Sequence, residues 1–173
     1  MSLRRWFSNS DRYLLYCVNQ RLKCAALDLL MPWFTRLGGV TFAFTVIVAA
    51  TIFGREPTRH AGLQAMIALA SSHLTVRICK NWVGRCRPYL SLPDIRYLCQ
   101  PWRDCSFPSG HTAASFSLAV VLALNFPFLT WPLVAAAGLT GISRMYVGMH
   151  YPSDVLGGAT LGTVFAYLAH WCF

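Results

Sequence analysis

Most ionisable residues that could do chemistry in this 173-residue chain fall in three short blocks. Lys80, Arg85, Arg87 and Pro88 form the first, Pro108, Ser109, Gly110 and His111 the second. The third holds Ser143, Arg144, His150 and Asp154. These residue types suit phosphoryl transfer, which requires a positioned phosphate and neutralised charge on its equatorial oxygens. Lys80, Arg87 and Arg144 supply three cations, and each arginine can hold two oxygens at once. Ser109 and Gly110 stand where an apolar helix begins, so backbone N–H groups and the helix dipole there favour an anion. Gly110 also lets the backbone come close to a ligand. Two histidines remain for covalent steps. Asp154, four residues after His150, can take one ring N–H and fix the tautomer, which leaves the other nitrogen free to attack phosphorus. His111 can then protonate the leaving oxygen.

Singly, each of these residues has a structural explanation. Lys80, Arg87 and Arg144 read as snorkelling cations at helix ends, and His150 with Asp154 as a structural pair. Their joint spacing outweighs those readings. Arg85 is a helper of the site or an interfacial anchor; Ser143 bonds either a phosphate or the backbone. His60, His73 and His170 read as structural. Cys79 and Arg85 match the bare spacing of a cysteine phosphatase loop, but such a loop needs glycines and a strand-to-helix turn, whereas residues 80–83 continue an apolar helix.

The elements that carry these blocks follow from composition. Hydrophobic residues make up 55%, aromatics 14% and charged residues only 12%, against about 25% charged in soluble domains. Mean hydropathy is +0.45. Disorder and collagen-like repeats are excluded, and a single all-α, polytopic membrane helix bundle over residues 1–173 is expected. The net charge is +9, but apolar segments separate the basic residues, so the partner is an anionic lipid or phosphate within a bilayer rather than nucleic acid. Five spans are expected, near 29–53, 58–80, 110–126, 130–148 and 153–172, each close to the roughly 20 residues a crossing needs. Residues 11–24 read as an N-terminal interfacial amphipathic helix with Leu14, Leu15, Val18 and Leu22 on its apolar face. Arg4 and Arg5 precede no apolar run, so no cleavable signal is expected. Residues 85–107 form one long polar loop of the kind that serves a site. Span order places the ends of spans two and four and the starts of three and five at one membrane face, which brings the three blocks together. Gly158 and Gly162 favour close helix packing within one bundle; a monomer is expected, with a dimer as the alternative.

Seven cysteines form no zinc pattern. Cys99 and Cys105, with Cys86 competing, are candidates for a disulfide if their loop is extracytoplasmic. Of six acids only Asp154 belongs to the constellation, so no metal and no other cofactor is expected.

The pattern resembles the type 2 phosphatidic acid phosphatase superfamily, which includes lipid phosphatases and vanadium haloperoxidases. Its signature, K-x6-RP, PSGH and SR-x5-H-x3-D, is met at Lys80 to Pro88, Pro108 to His111 and Ser143 to Asp154. The resemblance covers the chain from about Leu29 onward. It implies a phospho-histidine on His150, His111 as general acid, and phosphate contacts from Lys80, Arg87, Ser109, Gly110, His111 and Arg144, without a metal. Many members have six spans; set against them, five spans are expected here without the first, which would put the N-terminus on the catalytic side. Arg55 and Arg59 stand at the opposite face, but the phosphate-serving cations obscure the positive-inside rule, and the resemblance favours an extracytoplasmic site in a cell membrane. Undecaprenyl diphosphate is the expected substrate, with phosphatidylglycerophosphate or phosphatidic acid as alternatives. A haloperoxidase is disfavoured by the apolar spans, and a non-enzymatic lipid transporter by the presence of His150.

Overall fold

A computed structural model describes residues 3–173, with side chains from Asn9 onward. The described residues form helices joined by turns and by one long loop after α5: α1 (Leu3–Tyr16), a π-helical turn (Cys17–Arg21), α2 (Ala25–Leu37), α3 (Val40–Phe53), α4 (Thr58–Val83), the single turn α5 (Pro88–Ser91), α6 (Gly110–Asn125), α7 (Thr130–Tyr146) and α8 (Pro152–Cys172). A 3-10 turn at Pro127–Leu129 links α6 to α7. Helix α6 lies at the centre and packs on α3, α4, α7 and α8.

Small side chains make that central position possible. The glycines of the GxxxG pair on α8 face α6 so closely that a Cβ at Gly158 would lie 2.4 Å from the Ser109 carbonyl oxygen, and one at Gly162 2.4 Å from that of Ala113. The motif is thus used within the chain. Buried polar pairs link the helices below the site. The Ser72 and Ser117 hydroxyls meet at 2.9 Å, and Asn125 Nδ2 donates to Gln64 Oε1 at 2.7 Å. His170 Nδ1 lies 3.2 Å from the same oxygen and His60 Nε2 3.1 Å from Gln64 Nε2, both structural contacts.

Helices α4, α6, α7 and α8 fall within a few residues of four of the five expected segments. The segment expected at 29–53 is instead two helices, α2 and α3, bent by 48°. Gly38 and Gly39, poor helix formers, occupy the break, where Ser115 Oγ donates to the Gly38 carbonyl at 2.9 Å. By length and hydropathy α8 is long and apolar enough to cross a membrane, and α2 with α3 passes as one broken span. Helix α4 reaches the length, but its inward face carries Gln64 and Ser72. The outer face of α8 exposes Leu156, Val164, Leu168 and Trp171, an apolar belt.

The N-terminal helix docks differently from its apolar pattern. It buries Asp11, Leu15 and Asn19 and leaves Leu14 and Leu22 exposed. Asn19 Nδ2 donates to the carbonyls of Tyr146 (2.7 Å) and Arg96 (2.9 Å), and its Oδ1 accepts from Arg96 N–H at 3.0 Å. These bonds tie residues near the N-terminus to the long loop and the end of α7. Satisfied polar groups, rather than an apolar stripe, fix the docking.

All seven cysteines are free thiols. The expected Cys99–Cys105 bridge is absent: Cys99 packs instead against a cluster that contains Met31, Tyr146, Val147 and Met149.

Candidate active site

Helix α6 begins with Ser109 as its cap, its Oγ accepting from Thr112 Oγ1 at 2.9 Å and from Thr112 N–H at 3.4 Å. The Ser109 N–H donates to the Asp154 carbonyl at 2.9 Å and so joins the starts of α6 and α8. Gly110 and His111 follow directly and face a cavity of about 510 Å³. The Trp102 ring stands edge-on to His111, with centroids 6.2 Å apart.

Arg144, in the last turn of α7, also lines the cavity, 2% exposed, its Nε without a partner. The turn that follows needs Gly148 (φ +77°), because a Cβ there would meet the Arg96 carbonyl oxygen at 2.1 Å. That turn folds back so that the N–H groups of Met149 and His150 both donate to the Arg144 carbonyl. His150, 1% exposed, is thereby set beside Arg144. Burial, then the charges of Arg144, Arg87 and Lys80, holds its pKa well below the ordinary histidine value. The imidazole is neutral, as a nucleophile requires.

Arg87, 2% exposed, lies in the extended residue before α5. Its Nη1 is 3.2 Å from His150 Nε2 and donates to the Met149 carbonyl at 3.1 Å. Lys80, near the end of α4, completes the group. Thus Lys80, Arg87, Gly110, His111, Arg144 and His150 all line one cavity.

Ser109 and Asp154 stand behind that wall. The Asp154 carboxylate caps its own helix by accepting the Tyr151 N–H at 2.8 Å and takes Arg85 Nη1 at 2.7 Å. Its Oδ2 is 3.5 Å from His150 Nδ1, too long for a hydrogen bond, and that nitrogen has no partner. The expected tautomer-fixing bond is therefore not made in the free protein. Ser143 is used by the protein itself, its hydroxyl donating to the Thr140 carbonyl and meeting Thr35 Oγ1, each at 2.7 Å.

Three features are absent from the sequence reading. Asp104, from the long loop, pairs with both Lys80 and Arg87, reaching Arg87 Nη2 at 2.6 Å. Burial would raise its pKa, but the hydrogen bonds and charges of those two cations prevail and hold it below the usual carboxylate value. Asp104 and Asp94 are indistinguishable by local pattern, so only the fold selects one. Second, Arg85 turns away from the cavity, its Nη2 on Asp11 Oδ2 at 2.7 Å, its guanidinium 3.9 Å over the Tyr151 ring. Asp11 also accepts the Ser153 N–H at 2.9 Å. Third, His73, read as structural from the sequence, lines the cavity together with Arg36 and Arg77.

The sequence signature described as the PAP2 superfamily matches residues 61–173. The chain is 29% identical over 148 residues to the undecaprenyl-diphosphatase BcrC of Bacillus subtilis, covering 83% of this chain and 74% of that protein. The fold matches the crystal structure of Aquifex aeolicus LpxE with a TM-score of 0.83 at 28% identity, over 92% of this chain and 93% of that one. It also matches a transmembrane PAP2 type phosphatidylglycerolphosphate phosphatase from Bacillus subtilis with a TM-score of 0.79 at 28% identity, over 96% and 85% of the two chains.

Proposed function

The chain belongs to the PAP2 superfamily, and on that premise we propose that it hydrolyses a prenyl diphosphate of the undecaprenyl class to the monophosphate through a phospho-histidine. It is a membrane protein and a hydrolase of the lipid phosphatase family. The observation that supports the mechanism is the single cavity in which three cations, two histidines and the start of α6 meet.

In this reading the terminal phosphate displaces the Asp104 carboxylate and binds Lys80, Arg87, Arg144 and the backbone at Gly110. His150 Nε2 attacks phosphorus in line, the bridging P–O bond breaks, and His111 protonates the leaving oxygen. His111, now the base, takes a proton from water, which attacks the phospho-histidine, and phosphate leaves. As charge develops on the imidazole, the open 3.5 Å gap between His150 Nδ1 and Asp154 closes to a charge-assisted bond. Catalytic hydrogen bonds that are loose in the free enzyme tighten in this way. Ser109 and Asp154 hold the two histidine-bearing segments together from behind.

We read 1–173 as one monomeric domain with five crossings: α2 with α3, α4, α6, α7 and α8. The low hydropathy of α4 has a physical origin that supports this count. Its polar residues face inward, where Gln64 and Ser72 find partners. The cavity end then faces the outside of a cell membrane, with α1 lying at that interface. Phosphatidylglycerophosphate is the second reading, favoured by the match to a phosphatase for that lipid. Phosphate release from detergent-solubilised prenyl diphosphate, phosphatidylglycerophosphate and phosphatidic acid is the deciding experiment. Highest kcat/KM on the prenyl diphosphate is expected; a clear preference for another lipid overturns the assignment.

Two further outcomes are expected. Activity persists in excess EDTA, because side-chain cations rather than a carboxylate-held metal neutralise the phosphate. Loss on chelation, restored by Mg2+, contradicts the mechanism. Arg85→Gln lowers kcat on the order of 10²-fold, since a small misplacement of a reacting group has that cost, and leaves KM within a few-fold. The reason is its place between Asp11 and Asp154, behind His150. Asp11→Asn gives a smaller effect of the same kind. An unchanged kcat in Arg85→Gln removes Arg85 from the positioning of His150.

A further inference from the structure

The cavity holds more positive charge than one phosphate uses. Its wall carries Lys80, Arg87 and Arg144 around His150, and also Arg36 and Arg77 with His73. Among the described residues Asp104 is the one carboxylate in that wall, and its partners are Lys80 and Arg87. Among the described residues, neither Arg36 nor Arg77 pairs with an acid. His73 Nδ1 is buried without a hydrogen-bond partner.

The placement of these three residues follows from the bend between α2 and α3. Helix α3 packs along α4, whereas α2, on the other side of the 48° bend, packs on α7. Arg36 and the residues of the bend therefore stand on one side of the cavity, and His73, Val76 and Arg77 of α4 on another. Both arginines are partly open to the surroundings as well as to the cavity, so they flank its mouth. Arg36 is steadied by the Trp33 ring, 5.4 Å from its guanidinium carbon. Beyond them the exposed surfaces of α3 and α4 are apolar, with Phe42, Leu74 and Ile78. A lipid with its terminal phosphate at His150 and its tail on that apolar surface would have its leaving group between Arg36 and Arg77.

We propose that Arg36, Arg77 and His73 form a second anion subsite that holds the phosphate retained by the leaving lipid, so that the enzyme selects a lipid diphosphate over a lipid monophosphate. The proposal deepens the function given above and rests on it. The balance of the step fits the placement. The His150 Nε2–P bond forms, the bond from that phosphorus to the bridging oxygen breaks, and its electron pair stays on this oxygen, now part of the inner phosphate, where negative charge builds until His111 delivers its proton. Cations already fixed beside that phosphate stabilise the charge as it develops, so their effect falls on kcat as well as on KM. Two exposed arginines on a membrane helix bundle can instead anchor to bilayer head groups, and the experiment separates these roles.

In the full chain, kcat and KM are measured on a prenyl diphosphate and on the prenyl monophosphate with the same tail, for the wild type, Arg36→Gln, Arg77→Gln and the double variant. The expected result is a fall of about 100-fold in the diphosphate-to-monophosphate ratio of kcat/KM in the double variant, from two charge-assisted contacts at roughly tenfold each. Arg36→Lys and Arg77→Lys, which keep the charge, retain most of the ratio. A ratio that does not change, whether both activities fall together or neither falls, overturns the subsite and leaves the arginines as anchors. A selective loss on phosphatidylglycerophosphate, whose second phosphate lies beyond a glycerol, also overturns the diphosphate assignment. A wild type that releases phosphate from none of these lipids ends the proposed function and the subsite with it, an outcome distinct from an unchanged ratio in an active enzyme.

Discussion

His150→Ala is expected to lower kcat by about 10⁴-fold or more, the scale seen when a covalent nucleophile is removed. No neighbour can replace it. His111, at the start of α6, is assigned to the leaving oxygen, and the Arg87 and Arg144 guanidiniums are cations without a lone pair to offer. The side chain is almost fully buried, so its removal leaves a void, and loss of activity alone is not sufficient proof of role. Two measurements complete the test. Size-exclusion and circular dichroism profiles of the variant should match the wild type, because His150 lies in a turn held by backbone bonds to the Arg144 carbonyl rather than by its ring. Rapid acid-free quenching of the wild type should trap an acid-labile, base-stable phospho-enzyme that the variant lacks. A variant with normal phosphate release removes His150 as the nucleophile.

The second large effect concerns the lipid tail. A short-chain, water-soluble prenyl diphosphate should show kcat/KM lower by about 10²- to 10⁴-fold than its long-chain counterpart at equal free concentration. The phosphate contacts are the same for both, so the difference comes from binding energy along the apolar surface beyond the cavity mouth. That energy holds phosphorus in line with His150 Nε2, and positioning of this kind is worth several orders of magnitude. The tail therefore affects kcat as well as KM. Equal kcat/KM for the two substrates means that the membrane bundle contributes nothing to catalysis, and the enzyme is then a general phosphatase.

The spacing of apolar segments was enough to place α4, α6, α7 and α8 within a few residues, because a bundle of this kind must bury or immerse long apolar helices whatever its partners. The three motif blocks were equally plain. Span order alone sets Lys80, Gly110, Arg144 and His150 at one end of the bundle, and fixed offsets along a helix or a tight turn need no tertiary information. Where a side chain points depends on contacts between segments far apart in sequence, and these left no local trace. The 48° bend at Gly38 and Gly39 interrupts what reads as one continuous apolar run, because the second half follows α4 while the first follows α7. Asp104 differs from Asp94 only in lying where the folded loop meets Lys80 and Arg87. Arg85, which also holds Asp154, is tied to Asp11, 74 residues away in sequence. Asp154 sits four residues from His150, yet helix capping claims its near oxygen and the ring nitrogen is left 3.5 Å off. The sequence by itself determined which chemistry the chain carries and at which end of the bundle, since residue type and helix order are local properties. The tertiary structure decided which charges meet, because electrostatic pairing acts over a few ångströms of space and is indifferent to separation along the chain.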